Sequence, residues 1–216
     1  MNYAIREPVQ QRSREVVARI LQVTRDLLRQ MPISQLTMNR VADGAEISVA
    51  SIYRYYANKS DLIRAVQNQF LTDIADTVIA AIDQSEPKVE ALVSAVVGAY
   101  DEAIAGRAME FVDFLLDSGP DPELWRRGGE VMREQFEAFV SGLEKDRDRI
   151  AHQDIRLATG IALEIILGLF RNYARHHSHL SAEVGLPQRS RADVVKHARC
   201  AALSYLLYPC DVSSTS

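Results

Sequence analysis

Apolar residues recur at intervals of three and four along almost the whole chain, and nowhere does a sustained apolar–polar alternation signal a strand. Val16, Val17, Ile20, Leu21, Val23, Leu27 and Leu28 define one amphipathic helix from about Val9 to Met31, closed by Pro32. The strand-like run from Val93 to Val97 sits inside a longer helical period and reads as helix by length. Breaks fall at Pro32, 45–48, 57–59, Pro87, Gly106, 119–122, 149–152 and 179–189, cutting the 216 residues into about nine helices. The expected class is all-α. A basic head holds short or moderate helices, and a larger body holds longer ones.

Charge divides the chain in the same place. Residues 1–65 carry ten Lys/Arg against six Asp/Glu, whereas the remainder carries fifteen against twenty-three, so a head of +4 stands on a body of −8. Such a head suits a polyanion, and the body repels one. The most apolar run, Ile161 to Phe170, is short and interrupted by Glu164, which predicts a buried helix and no membrane partner. The opening "MNYAIREPVQ" lacks a secretion pattern. Two late cysteines, Cys200 and Cys210, make no disulfide framework, so a reducing cytoplasmic setting is expected, with a redox-sensing thiol as the alternative.

The head contains three helix-start signals in quick succession. Thr37 is a cap with Leu36 and Val41 placed as a hydrophobic staple. Ser48 repeats the arrangement with Ile47 and Ile52, and Asn58 caps a helix carrying Asp61 in its first turn. Further along, Asp121-Pro122 reads as a cap followed by proline at the first helical position. Two short helices, Met38–Ala45 and Val49–Tyr55, thus meet across a tight turn as a helix-turn-helix, sharing a seam of Val41, Ala42, Ala45, Ile47 and Ile52.

The stretch "ISVASIYRYYANKSDL" is short and rich in tyrosine. Its tyrosines and arginine read as outward residues, the free face being Val49, Ala50, Ser51, Tyr53, Arg54 and Tyr55. Small side chains at 49–51 allow close approach to base edges, and Ser51 can bond either base type. Tyr53 and Tyr55 offer hydroxyls to phosphate, and Arg54 reaches phosphate or guanine. Thr37 and Lys59 flank the helix as backbone contacts, and Arg40 and Ser48 complete the candidate DNA-binding set.

The segment Leu36 to Ile63, "LTMNRVADGAEISVASIYRYYANKSDLI", resembles the TetR-type transcriptional regulators. Thr37, Val41, Ala42, Ala45, Ile47, Ser48, Ser51, Ile52, Tyr53, Tyr55, Asn58, Lys59 and Leu62 carry the likeness. Glu46 stands where that family usually has glycine, Tyr56 replaces its usual phenylalanine, and Ser60-Asp61 replaces its usual acidic-then-variable pair. A left-handed Glu46 would cost about 1 kcal/mol. The resemblance implies a DNA-binding domain at 1–58, an effector-binding and dimerisation domain at 59–210, and a frayed tail at 211–216. It implies a homodimer on a palindromic operator, a repressor released by a small molecule, and no catalysis. A helix from about Lys59 to Gln84 would link head to body. Its tilt would disturb two recognition helices that must stay about 34 Å apart.

In the body, Tyr100, Met109, Phe111, Phe114, Trp125, Met132, Phe136, Phe139 and Tyr173 mix aromatic rings with methionine. They suit an apolar or aromatic effector, or serve as plain core. Leu157, Ile161, Ile165, Gly168 and Leu169, with Val195, Ala198, Ala201, Ala202, Tyr205 and Leu206, form two late stripes that pair with a twin or pack within the chain. His176, His177 and His179 cluster near a helix end, where they complement its dipole as readily as they bind metal, and no metal or cofactor is expected. No nucleophile–base, zinc-ligand or phosphate-loop motif is present. A helical enzyme, or an adaptor whose head reads no DNA, is the alternative.

Overall fold

The computed structural model describes residues 6–105, 122–175 and 189–209. Eight α-helices lie within them, with no strand among the described residues: α1 (Arg6–Leu28), α2 (Met38–Gly44), α3 (Val49–Tyr53), α4 (Lys59–Asp83), α5 (Val89–Ala105), α6 (Pro122–Glu144), α7 (Ile155–Arg175) and α8 (Arg191–Leu207). Short 3-10 turns occupy Ile33–Gln35 and Arg147–Arg149. The all-α expectation holds. α1 begins and ends about three residues earlier than its periodicity suggests, and α3 stops two residues short at Tyr53.

Two apolar cores form. The head core gathers Ile20 and Leu28 of α1, Leu36 from the loop, Met38, Val41 and Ala42 of α2, Ile52 of α3, Tyr56, and Leu62 and Val66 of α4. The body core takes Phe70, Ile74, Val78 and Ile82 from the remainder of α4 and adds α5 to α8. At 1.5 Å per residue α4 is about 37 Å long, enough to belong to both. Its spacing explains this: 62, 66, 70, 74, 78 and 82 form one unbroken i, i+4 row. Leu62 and Val66 fall on the body side of a division at residue 58, yet they pack in the head.

α5 is the central helix of the body and touches α4, α6, α7 and α8. That position suits its run of valines: Val89, Val93, Val96 and Val97 are all buried, with Leu92, Ala99, Tyr100 and Ala103. β-branched residues lower helix propensity by tenths of a kcal/mol each, about 0.5 at most, whereas full burial of each such side chain gives about 1.5–3 kcal/mol. Burial therefore decides the conformation. Asp146 Oδ2 accepts from Val89 N–H at 3.0 Å and caps α5 from a distant loop. The loop before α7 is anchored by Arg147, which donates to the carbonyls of Ile150, His152 and Gln153. Ala151 N–H in turn donates to Leu206 O.

Candidate nucleic-acid interface

Local chemistry builds the helix-turn-helix as its spacing suggests. Thr37 Oγ1 accepts from Arg40 N–H at 3.3 Å and starts α2. Ser48 Oγ accepts from Ser51 N–H at 3.1 Å and starts α3, and Asn58 Oδ1 accepts from Asp61 N–H at 2.9 Å and starts α4. Between α2 and α3 the chain reverses through Ala45 N–H to Val41 O, Glu46 N–H to Asp43 O and Ile47 N–H to Ala42 O. Glu46 adopts φ 53°, the left-handed region where glycine is favoured. The departure at this position is therefore a real backbone cost.

Ile52 is fully buried and anchors α3 to the head core. The opposite side faces outward: Ala50, Tyr53 and Arg54 are exposed, Val49 and Ser51 half-buried, and the Tyr53 side chain is 52% exposed. Ser48 and Ser51 hydroxyls sit 2.8 Å apart and share a hydrogen bond. Thr37 and Arg40 are exposed on the same side of the chain reversal as the α2 start, and Arg40 Nη1 lies 3.0 Å from Met31 Sδ. Exposed Arg12, Arg14 and Arg19 of α1, with Arg29 just past its end, add positive charge to this end of the molecule.

Two residues of the set, and one further tyrosine of the stretch, behave differently from the outward reading. Tyr56 is a core residue: its ring is buried in the head cluster, and burial pushes its phenol pKa up. Tyr55 is half-buried, with its hydroxyl 3.0 Å from Ser13 Oγ of α1. Lys59 turns its ammonium onto Ile33 O at 2.5 Å and fastens the 3-10 turn to the start of α4. A second cation leaves the polyanion-facing count altogether: Arg25 is buried against Asp73 of α4 at 2.6 Å. Sequence reasoning missed Ser13, which carries no local signal. It also missed Gly44, where an added Cβ would lie 2.7 Å from Val23 Cγ1, so that α2 approaches α1 closely only because the side chain is absent.

In the body, the described effector candidates differ in burial. Tyr100 is buried, its hydroxyl donates to Gln135 Oε1, its ring lies 6.3 Å from Phe170, and burial raises its pKa. Phe139 is plain core. Phe136 and Tyr173 are half-buried, and the Arg156 guanidinium rests 5.0 Å over the Phe136 ring. Trp125 is 74% exposed and Met132 is also exposed. The phase of α6 explains their outward placement. Its buried row is Leu124, Val131, Gln135, Phe139 and Leu143, and Trp125 and Met132 lie one residue, or 100°, around from it. The Gly128-Gly129 pair removes the side chains that would have fixed that phase. Met109, Phe111 and Phe114 lie outside the described residues, as do Asp121, His176, His177, His179 and Cys210.

The two late stripes separate into inward and outward faces. Leu157 is 61% exposed, and Ile161, Ile165, Gly168, Leu169, Ala201 and Tyr205 are half-buried. Ala198 and Ala202 are fully buried beside Val194 and Leu206, packed within their own chain. Small residues lie on more than one face of α8, and packing against α5 and α7 chooses the 194/198/202/206 row. Tyr205 is partly covered: the His152 ring stacks on it at 4.4 Å, and His152 Nε2 meets its carbonyl at 2.5 Å. Among the described residues no group of three metal-ligating side chains occurs, and no helix is long and apolar enough to cross a membrane.

A capped pair of short helices, seated on α1 and α4 and joined by α4 to a helical body, is a helix-turn-helix head on a larger helical domain. Residues 20–66 match the bacterial regulatory proteins of the tetR family. The fold agrees. A tetR-family transcriptional regulator from Streptomyces coelicolor superposes with TM-score 0.66 at 15% identity, over 88% of this chain and 81% of that one. The fatty acid degradation regulator FadR from Bacillus halodurans gives 0.64 at 16%, over 87% and 94%. FadR from Bacillus subtilis, solved in complex with stearoyl-CoA, gives 0.63 at 14%, over 88% and 97%. No curated protein matches in sequence. The head thus matches the tetR-family pattern over residues 20–66, and the whole chain shares the fold of solved TetR-family regulators.

Proposed function

We propose that the chain is a ligand-responsive repressor that binds a palindromic operator as a homodimer, and that it acts by binding alone. One observation carries the reading: α3 buries only Ile52 and offers Ala50, Tyr53 and Arg54 outward from a head of net positive charge. Val49, Ala50 and Ser51 would face base edges. Tyr53 and Arg54 would hold phosphate, with Thr37, Arg40 and the Ser48-capped end of α3 around them. Tyr55 and Lys59 serve chiefly as struts, since Ser13 and Ile33 already occupy their polar atoms.

The outward row of α7, from Leu157 through Ile161 and Ile165 to Gly168, supplies the twin contact together with Ala201 and Tyr205 of α8. Leu157 is exposed and Ile161, Ile165 and Gly168 are half-buried, and an apolar row left partly uncovered marks an interaction surface. The effector is small and apolar or aromatic, and it acts by tilting α4. The functional division follows α4: residues 1–58 read DNA, 59–210 sense and dimerise, and α4 is shared by both cores.

Anisotropy with a duplex selected by the protein from a random pool tests the reading against a random duplex. The parent should prefer the selected duplex by about a thousandfold or more at fixed salt. Tyr53→Ala should weaken both by about fivefold, the loss of one phosphate hydrogen bond. Ser51→Ala should shift preference at a single base position. Equal affinity of the parent for both duplexes would end the proposal. Stearoyl-CoA, the ligand in the Bacillus subtilis FadR structure, is a first probe of release for its apolar acyl chain, although its CoA head is large and anionic.

A further inference from the structure

Two polar ties meet on consecutive residues of α4, just where the head core gives way to the body core. Val66 is the last α4 residue in the head cluster, and Phe70 the first in the body cluster. About one turn beyond Phe70, Asp73 Oδ2 accepts from Arg25 Nη2 of α1 at 2.6 Å. Its neighbour Thr72 receives Arg127 Nη2 of α6 on Oγ1 at 3.1 Å. Arg25 is buried, and its partner lies beyond the head's own core. The bond therefore joins the longest helix of the head to the body's portion of α4, and Thr72 continues the tie to α6.

Resting on the DNA-binding reading above, we infer that Arg25 and Asp73, backed by Thr72 and Arg127, are positioning residues that set the angle between head and body. An apolar contact lets two helices slide or roll on each other. A charge-assisted hydrogen bond is directional and holds one register. Stability alone does not account for this layer. Arg25 Nε and Asn68 Oδ1 are both buried without a partner among the described residues, and Asn68 lies one turn before Thr72. A polar layer with two unmet groups is costly compared with apolar packing, so what it supplies is a fixed geometry. Any movement of α6 at Arg127 reaches α1 through two adjacent α4 side chains.

The test uses the full chain and two readouts. The first is the ratio of affinities for the selected and random duplexes. The second is the distance distribution between spin labels at Asp43→Cys in the head and Ser141→Cys in the body, both exposed positions, on a Cys200→Ser/Cys210→Ser background diluted with unlabelled chain. Asp73→Asn should lower the ratio about tenfold, change random-duplex affinity less than twofold, and broaden the distance distribution. The reversal Arg25→Asp/Asp73→Arg should bring the ratio back to within about threefold and narrow the distribution again. Thr72→Val, nearly isosteric and safe for folding, should lower the ratio about threefold, and it decides the matter if Asp73→Asn does not fold. An unchanged distribution in Asp73→Asn and Thr72→Val overturns the inference, whatever the duplexes show. A parent without duplex preference sinks the DNA reading alone, and the distance arm then judges the brace.

Discussion

Head and body are both helical, yet they solve their packing by different means. In the head, short helices are placed by signals that lie next to them in the chain: Thr37, Ser48 and Asn58 each accept from the N–H three residues on. One fully buried side chain, Ile52, then seats α3 and leaves its other side free. In the body, longer helices are apolar on more than one face, and only mutual packing decides which face turns inward. α6 shows this with Trp125 outside and Leu124 inside, and α8 with Ala198 inside and Ala201 half outside. A functional surface defined by short-range hydrogen bonds can be read before the fold is known. One defined by the residue of several packed faces cannot.

The comparison breaks most readily at the seat of α3. Ile52→Ala should destabilise the head by about 2–5 kcal/mol and abolish selective DNA binding, while body helices keep their amide protection in hydrogen exchange. Equal loss of protection in head and body would show that they melt as one unit. Next come two glycines that each hold a close approach. Gly44→Ala drives a methyl into the stiff β-branched Val23 at 2.7 Å and should cost about 1–3 kcal/mol. Gly142→Ala in α6 meets the more flexible tip of Leu92 at 3.0 Å, and the roughly 1 kcal/mol helix-propensity gain offsets the clash, leaving a change within about 1 kcal/mol by denaturant titration.

Smaller effects sharpen the same contrast. Glu46→Gly relieves the φ of 53° and should stabilise the head by up to about 1 kcal/mol, less the entropy that glycine adds to the unfolded chain. A fall in head stability would show that Glu46 makes a compensating contact. The smallest effect is in acid. Two hydrogen bonds from Ser190, one from its hydroxyl and one from its backbone N–H, hold the Asp193 carboxyl below the usual aspartate range. A depressed folded pKa gives stability that is present above the unfolded value and is lost as pH falls through the folded one. The first turn of α8 should therefore fray below the ordinary aspartate range, seen as faster exchange at its first amides.

The all-α class, the order and rough limits of the helices, the helix-turn-helix and the outward placement of Ala50 and Tyr53 were legible in the sequence. Periodicity and caps act over three or four residues, and both are written in neighbouring positions. Tertiary structure alone decided that Tyr56 is core, that Tyr55 and Lys59 are tied to Ser13 and Ile33, and that Trp125 faces solvent. It alone brought Arg25 onto Asp73, 48 residues away. Such contacts depend on which side of each helix its neighbours cover, and that choice minimises exposed apolar surface over the whole molecule at once, so no window of the sequence contains it.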